Sequence, residues 1–238
     1  MSGPPVLVVF GARNVGRAVL ADRLAAGWRA VAVSRGEETL GAVREEFPGV
    51  ATVQGDAGDH AVVAEALARA RELGGLDLVV NATTSVPRDH AFGGGPVVDA
   101  PPDRLDSWMA GFLPAAWAIL RGAGAAMAEQ GSGTLIQVSG GSARRAMPGR
   151  GSWAAAQFAA RALTHALAQE LRPQGVHVAL LVADGIIQTD RNPMEGRSPQ
   201  DSLTTADVAA AVAYLAGQSP RGWTHELVIT PPGDTWVP

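Results

Sequence analysis

The sequence lacks cysteine, and it has only one tyrosine (Tyr214) and five histidines among 238 residues. Without cysteine the chain can form neither a disulfide nor a thiolate metal site. The histidines are scattered along the chain and contain no H-E-x-x-H pair, so we predict no metal site. The G-x-S-x-G and G-x-x-x-x-G-K-[ST] motifs are also missing, so nothing indicates a serine hydrolase or a P-loop protein.

Long hydrophobic runs and a strong charge of one sign are missing as well. No apolar stretch approaches the ~18 residues that would span a bilayer. A net charge of −4 gives no electrostatic reason to bind nucleic acid or an anionic membrane. The first residues lead into a strand-like stretch without the basic segment and cleavage site of a signal peptide. We therefore expect a cytoplasmic protein whose partner is a small-molecule substrate.

Short apolar runs alternate with stretches of helical period, which indicates an α/β fold with a parallel sheet covered on both faces. Strands are predicted at residues 6–10, 29–33, 50–54, 76–81, 134–139, 176–183 and 226–230. Helices are predicted at residues 16–26, 37–46, 59–73, 102–130, 151–171 and 204–216. We expect a single domain over residues 1–238, with irregular substrate loops near residues 85–101 and 190–202 at strand ends.

The first predicted strand ends in a glycine turn, Gly11-Ala12-Arg13-Asn14-Val15-Gly16, and a helix begins there. Such a turn offers backbone N–H groups and the positive end of a helix dipole to a pyrophosphate. Arg13 replaces the middle glycine of the G-x-G-x-x-G pattern, which weakens the motif. The alternative is that the two glycines only let the helix and strand pack closely.

Three further segments follow the glycine turn along the chain and contain recognisable motifs. The helix Trp153-Ala154-Ala155-Ala156-Gln157 follows the strand Leu135-Ile136-Gln137-Val138-Ser139, and the chain also contains Asn81-Ala82-Thr83 and Asp184-Gly185-Ile186-Ile187-Gln188-Thr189. With the glycine turn, this order resembles the short-chain dehydrogenase/reductase (SDR) family over almost the whole chain. The resemblance implies a Rossmann-type, doubly wound, seven-stranded parallel sheet. It also implies a nicotinamide cofactor and a homodimer or homotetramer formed through the two longest helices.

The same resemblance shows what the site has lost. The family's catalytic Asn, Ser, Tyr and Lys would fall on Phe112, Gly140, Trp153 and Gln157. The family tyrosine gives or takes the substrate proton, and the lysine lowers the pKa of that tyrosine. Tryptophan has no such proton and glutamine no charge, and Tyr214 lies on a different helix. We therefore expect little activity on simple ketones and secondary alcohols.

The cofactor end is better preserved. At the end of the second strand, Ser34-Arg35 replaces the acid that would bind the ribose of NAD. Arg13 and Arg35 could together bind a 2′-phosphate, which favours NADP(H) over NAD(H), unless both are simply solvated. The resemblance adds Asp56 at the adenine and Thr189 at the nicotinamide. The predicted cofactor-binding residues are Gly11, Arg13, Asn14, Val15, Gly16, Ser34, Arg35, Asp56, Asn81, Gln157 and Thr189.

A substitute for the missing acid would have to come from nearby side chains. Asp184, at the end of the sixth predicted strand, is the first candidate, and the alternative is that it only holds its loop. Ser139 and Ser142 could hydrogen-bond the substrate, and Trp153 could close the pocket. Arg144 and Arg145 could receive an anionic substrate or be solvated. The predicted catalytic set, which leaves out these two arginines, is Asp184, Ser139, Ser142, Trp153 and Gln157.

Three functions are compatible with this sequence. The first is a divergent NADP(H)-binding oxidoreductase that acts on a small carbonyl, enone or imine compound. The second is a non-redox enzyme of the same fold, such as an isomerase, lyase or cyclase. The third is a catalytically inactive nucleotide-binding protein.

Overall fold

A parallel β-sheet forms the centre of the structure. The computed structural model describes residues 3–84, 92–189 and 198–234. Its strands are β1 (Val6–Phe10), β2 (Arg29–Ser34), β3 (Ala51–Gln54), β4 (Leu78–Asn81), β5 (Gly133–Gly140), β6 (Val176–Ala183), β7 (Ile186–Ile187), β8 (Ser202–Leu203) and β9 (Glu226–Ile229). Seven of them form one parallel sheet in the order β3-β2-β1-β4-β5-β6-β9. The predicted Rossmann-type sheet is confirmed.

Helices cover both faces of this sheet. They are α1 (Val15–Ala25), α2 (Glu37–Glu46), α3 (His60–Leu73), α4 (Arg104–Gln130), α5 (Gly151–Leu171) and α6 (Thr205–Ala216). One buried core joins α3, α4 and α5 to the sheet, and a second joins α1, α2 and α6 to its other face. The central strands are apolar on both faces, as in β1, where all five residues are buried.

Differences from the predicted boundaries have local causes. The fourth strand begins at Leu78, two residues later than predicted, because Leu76 pairs instead with the Gln130 side chain through both its N–H and its C=O. The helix predicted from residue 102 begins at Arg104. The short β7–β8 pair was not predicted. Of the predicted substrate loops, residues 85–91 and 190–197 lie outside the described residues.

The carboxyl ends of the seven strands meet at one edge of the sheet, which we call the crevice edge. In open α/β sheets, ligands bind at this edge. The helices that follow β1, β4 and β5 therefore begin near the crevice edge. Among the described helices, none is long and apolar enough to span a membrane.

A histidine cluster lies at the opposite edge. His177, at the start of β6, is buried, and its Nε2 lies 2.9 Å from the Thr224 carbonyl oxygen. Its ring stacks on Trp223 with 5.1 Å between ring centroids. Burial lowers the pKa of His177 below its ordinary value of 6.5; the Thr224 hydrogen bond opposes this shift and nearby His225 adds to it. The neutral imidazole is therefore the form that this cluster stabilises.

This cluster predicts a pH-dependent stability. The unfolded chain takes up a proton near pH 6.5, whereas folded His177 resists it until lower pH. The free energy of unfolding should therefore fall as the pH drops below about 6.5, by at most ~1.4 kcal/mol per pH unit from this group. Urea unfolding between about pH 5 and pH 8 should show that His177→Gln flattens the dependence, while His60→Gln, at an exposed position, leaves it unchanged. Equal slopes in both variants would contradict this assignment.

Candidate functional site

The glycine turn brings the start of α1 close to the ends of two strands. Gly11 has φ +88°, and its N–H donates to the Val33 carbonyl over 2.9 Å. A β-carbon on Gly11 would lie 2.7 Å from the Ala82 carbonyl oxygen, and one on Gly16 would collide with the Gly11 carbonyl oxygen. The close-packing role of these two glycines is therefore real, and it positions α1 at the crevice edge.

The N-terminus of α1 is left open by its own residues. Asn14 has φ +48°, an uncommon conformation for a residue with a side chain, and this side chain does not cap the helix. No acidic residue occupies the first turn of α1. The Gly16 N–H donates to the Arg13 carbonyl over 3.0 Å. The Asn14 and Val15 N–H groups and the positive end of the dipole remain for an anion, with the exposed Arg13 beside them.

Two residues predicted at the adenosine end stand together on neighbouring strands. Arg35 follows β2 and Asp56 follows β3, and Arg35 Nη1 lies 3.7 Å from Asp56 Oδ2. Both side chains are more than half exposed, so this ion pair adds little to stability. Ser34 is half-buried, and its carbonyl accepts the Gly55 N–H at 3.0 Å. The Arg35–Asp56 ion pair is weak enough for a ligand to replace it.

Asn81 is occupied by contacts within the sheet. Its Nδ2 donates to Gln137 Oε1 over 2.8 Å, across the β4–β5 register. Its Oδ1 accepts the N–H and the hydroxyl of Thr83 at 3.0 and 2.6 Å. The predicted cofactor residue thus shapes the end of β4, through a buried partner, Gln137, that sequence reasoning missed.

Ser139 and Gln157, both predicted catalytic residues, are joined by a buried hydrogen bond. The Ser139 hydroxyl donates to Gln157 Oε1. Because the amide oxygen is the acceptor in this bond, the amide nitrogen is turned away from Ser139. This amide nitrogen donates no hydrogen bond to any residue that the structure describes, so it can serve a ligand.

Aromatic rings occupy the place where the resemblance implies the catalytic tyrosine. Trp153 stacks on Trp108, with 6.0 Å between ring centroids and 26° between planes. Trp108 is completely buried, and Phe112, one turn further along α4, packs against Ala156 and other small residues of α5. Sequence reasoning missed Trp108, although its spacing of four from Phe112 puts both on one helix face.

Asp184 is held by an arginine of the loop between β5 and α5. Its Oδ2 lies 2.7 Å from Arg145 Nη1, and the carboxylate is buried. It also lies so close to Gly141 that a β-carbon there would collide with Oδ1. Asp184 therefore contacts a neighbouring loop, the β5–α5 loop.

Arg144 is also engaged in an ion pair. Its Nε lies 3.2 Å from Glu226 Oε1, and Arg161 binds the same carboxylate with two nitrogens, at 2.8 and 3.2 Å. The expectation that Arg144 and Arg145 are solvated is wrong, because each arginine ties the β5–α5 loop to a strand end.

The remaining predicted residues lie around the same edge. Ser142 is buried in a 3₁₀ turn, Gly141–Ala143, directly after β5. Thr189 is half-buried two residues after β7, where the Gln188 N–H donates to the Leu203 carbonyl over 2.7 Å.

Across residues 3–84, 92–189 and 198–234, no group of three or more His, Asp or Glu side chains is arranged to hold a metal ion.

Comparison with known proteins agrees with this architecture. The short-chain dehydrogenase/reductase eriH of Hericium erinaceus is 28% identical over 252 residues, which cover 96% of this chain and 97% of that protein. The crystal structure of a metagenomic short-chain oxidoreductase in complex with NADP has a TM-score of 0.75 at 26% identity, over 95% of this chain and 96% of that one. The closed form of serine dehydrogenase complexed with NADP+ has a TM-score of 0.83 at 18% identity, over 98% and 97% of the chains, which shows the shared fold alone.

A family model described as short chain dehydrogenase matches residues 5–199, which is well over half of the chain. The chain therefore belongs to the short-chain dehydrogenase/reductase family of oxidoreductases.

Proposed function

We propose that this protein is an NADP(H)-dependent oxidoreductase that acts on a small carbonyl, enone or imine compound without a phenolic acid. The observation that carries this proposal is the Arg35–Asp56 pair at the crevice edge, on the two strands that follow β1 in the sheet. It gives a cation where an NAD site would have an acid. The NADP named for the metagenomic oxidoreductase supports the same cofactor.

The described residues fit this cofactor at its phosphate end. The uncapped start of α1 offers the N–H groups of Asn14 and Val15 to the pyrophosphate. Arg35 and the exposed Arg13 would bind the 2′-phosphate through charge-assisted hydrogen bonds, and Asp56 would meet the adenine amino group. These contacts bind and orient the cofactor, and none of them requires a proton transfer.

The nicotinamide end is held by neutral groups. The Gln157 amide nitrogen would donate to the ribose hydroxyls, held in orientation by the Ser139 hydroxyl. Thr189 would lie at the nicotinamide. When bound, NADPH supplies a hydride to an electrophilic carbon, and the protein has to position that carbon.

The kind of substrate that can react follows from the side chains around the carbon that accepts the hydride. Trp153, Trp108 and Phe112 provide an apolar wall that excludes water but donates no proton from an ionisable group. A substrate that already carries positive charge, such as an iminium ion, needs no acid when hydride arrives. An enone likewise spreads the developing charge over its conjugated atoms. We therefore place imines and enones ahead of unactivated ketones.

Any proton transfer in the reaction is proposed to run through Asp184, with Ser139 or Ser142 hydrogen-bonding the substrate. Asp184 ends β6 at the crevice edge, which supports this role. Its ion pair with Arg145 supplies the competing role of anchoring the β5–α5 loop. The two roles predict different effects of the same substitution.

An apolar surface on α4 and α5 supports association into a homodimer or homotetramer. Trp117 is 49% exposed, and it lines a groove with Met109, Leu113, Pro114 and Leu163. Monomers in sedimentation velocity at micromolar concentrations would contradict this proposal.

The first prediction concerns cofactor preference. NADPH should bind more tightly than NADH, because charge-assisted contacts to a phosphate are worth roughly 1.5–3 kcal/mol, or about 10- to 150-fold in affinity. Calorimetric titration should show that Arg35→Ala removes most of this preference. Arg69→Ala, which removes an equally charged and exposed side chain from α3, should keep it. Equal affinities for the two cofactors in the wild-type protein would refute the assignment.

The second prediction concerns the reaction. NADPH consumption, followed by absorbance, should be detectable with an imine or enone from a mixed panel. With unactivated ketones, the rate of NADPH consumption should be about 10²- to 10⁴-fold lower than it would be with a general acid in the site. Robust reduction of a simple ketone would contradict the loss of the acid. Binding of NADPH without any consumption would favour the inactive nucleotide-binding protein, and substrate turnover without consumption would favour the non-redox enzyme.

The third prediction separates the two roles of Asp184. Asp184→Asn should slow an acid- or base-dependent turnover by at least tenfold if the carboxylate moves a proton. If the carboxylate only anchors the loop, Asp184→Asn should leave the rate within a few-fold of the wild type. It should also lower the free energy of unfolding by about 1–3 kcal/mol, because Arg145 loses its buried partner. Glu72→Gln, in the exposed Arg69–Glu72 pair, is the control and should change neither quantity measurably.

A further inference from the structure

Two side chains at the start of α4 carry buried donors that have no partner. Nε and Nη1 of Arg104 are buried, and so is Nε1 of Trp108, yet none of these three atoms makes a hydrogen bond with the residues that the structure describes. Within the described part of the chain, Arg104 also has no ion pair. A buried donor costs free energy when it is unpaired, and a charged one costs more. Such a group in a folded protein requires an explanation, and a bound water, an ion or a ligand can each supply the acceptor.

The position of these donors points to the substrate. Arg104 and Trp108 are four residues apart and therefore share one face of α4. Side chains in a helix lean towards its N-terminus, and the N-terminus of α4 faces the crevice edge. Trp108 also stacks on Trp153, at the place where the resemblance implies the catalytic tyrosine. The Trp108 donor therefore lies beside the expected site of reaction, and Arg104 lies one helical turn nearer the N-terminus of α4.

A glycine keeps this region free of a further side chain. Gly94 has φ +100°, and a β-carbon on it would lie 3.1 Å from Trp108 Nε1 and 3.0 Å from the β-carbon of Ser152. Any other residue would press on the indole N–H and on the first turn of α5. The glycine therefore leaves room beside the indole N–H and beside the Ser152 side chain, whose Oγ would lie 3.2 Å from the same β-carbon.

The charges around the crevice edge leave Arg104 without a counterion. Arg145 is neutralised by Asp184, and Arg144 shares Glu226 with Arg161. Arg35 lies 3.7 Å from Asp56. Arg104 is the arginine here whose buried nitrogens have no acceptor among the described residues. An anionic group of a ligand would supply both the charge and the acceptor.

We propose that Arg104 and the indole N–H of Trp108 bind a carboxylate of the substrate, so that the substrate class is an apolar carboxylic acid bearing the reducible group. A guanidinium binds a carboxylate in a planar, two-bonded arrangement, and the indole N–H adds a third donor. Trp108, Trp153 and Phe112 offer an apolar environment to the body of the substrate. This inference rests on the proposed oxidoreductase function, since it names the substrate of that same site.

Benzoate and benzamide form a matched pair of probes, because they share a ring and differ in charge. Calorimetry on the wild-type protein, with and without saturating NADPH, should show that benzoate binds at least about tenfold more tightly than benzamide. Arg104→Gln should abolish this preference, and Trp108→Phe, which keeps the ring stack but removes the N–H, should reduce it about threefold or more. Arg121→Gln removes an exposed arginine from the same helix and should leave it intact.

Three results would overturn the proposal: no benzoate binding to the wild-type protein, no preference over benzamide, or an unchanged preference in Arg104→Gln. Melting curves of both variants establish that they are folded, and the conservative Trp108→Phe exchange keeps the test valid if Arg104→Gln is unstable. The NADPH affinity of Arg104→Gln should stay within about twofold of the wild type. If NADPH fails to bind any form of the protein, the proposed function fails, whereas the benzoate preference without NADPH still tests this site.

Discussion

The close approach of Gly11 and Gly16 is the constraint on which the crevice depends. The backbone of Gly11 lies against Ala82 at the end of β4, and Gly16 lies against Gly11. No larger residue fits either contact, so α1 must start directly above the sheet edge. This one packing arrangement directs the free N–H groups of α1 towards the space where β2 and β3 bring Arg35 and Asp56 together. The position of this helix N-terminus is therefore a consequence of backbone packing.

The opposite end of the crevice is held by side chains. Arg145 binds Asp184, and Arg144 and Arg161 share Glu226, so the β5–α5 loop is tied to β6 and β9 by ion pairs. Ser139 and Gln157 add a buried hydrogen bond between β5 and α5. The stacked indoles of Trp108 and Trp153 add hydrophobic surface without adding an acid.

This division suggests how one family fold accommodates different chemistry. The cofactor end relies on backbone N–H groups and exposed charges, which tolerate a degenerate glycine motif because the helix position is preserved. The end of the crevice at β5, α4 and α5 relies on specific side chains, and there the ionisable groups of the family have given way to aromatic rings. Positioning then has to supply what acid catalysis would otherwise provide, and an anchored carboxylate would be an effective means of positioning.

Much of the fold was predictable from the sequence alone, because apolar runs and helical periodicity are local properties. The alternation of strands and helices, the glycine turn and the loss of tyrosine and lysine at Trp153 and Gln157 could all be predicted from the residues and their resemblance to a family. The partners of Asp184, Asn81 and Arg144 could not, since they come from segments 39 to 82 residues away along the chain, as the Arg145–Asp184 and Arg144–Glu226 pairs show. Only tertiary packing decides which distant donor meets which acceptor. For the same reason, only the folded chain reveals that Arg104 and Trp108 bury donors that meet no acceptor among the described residues.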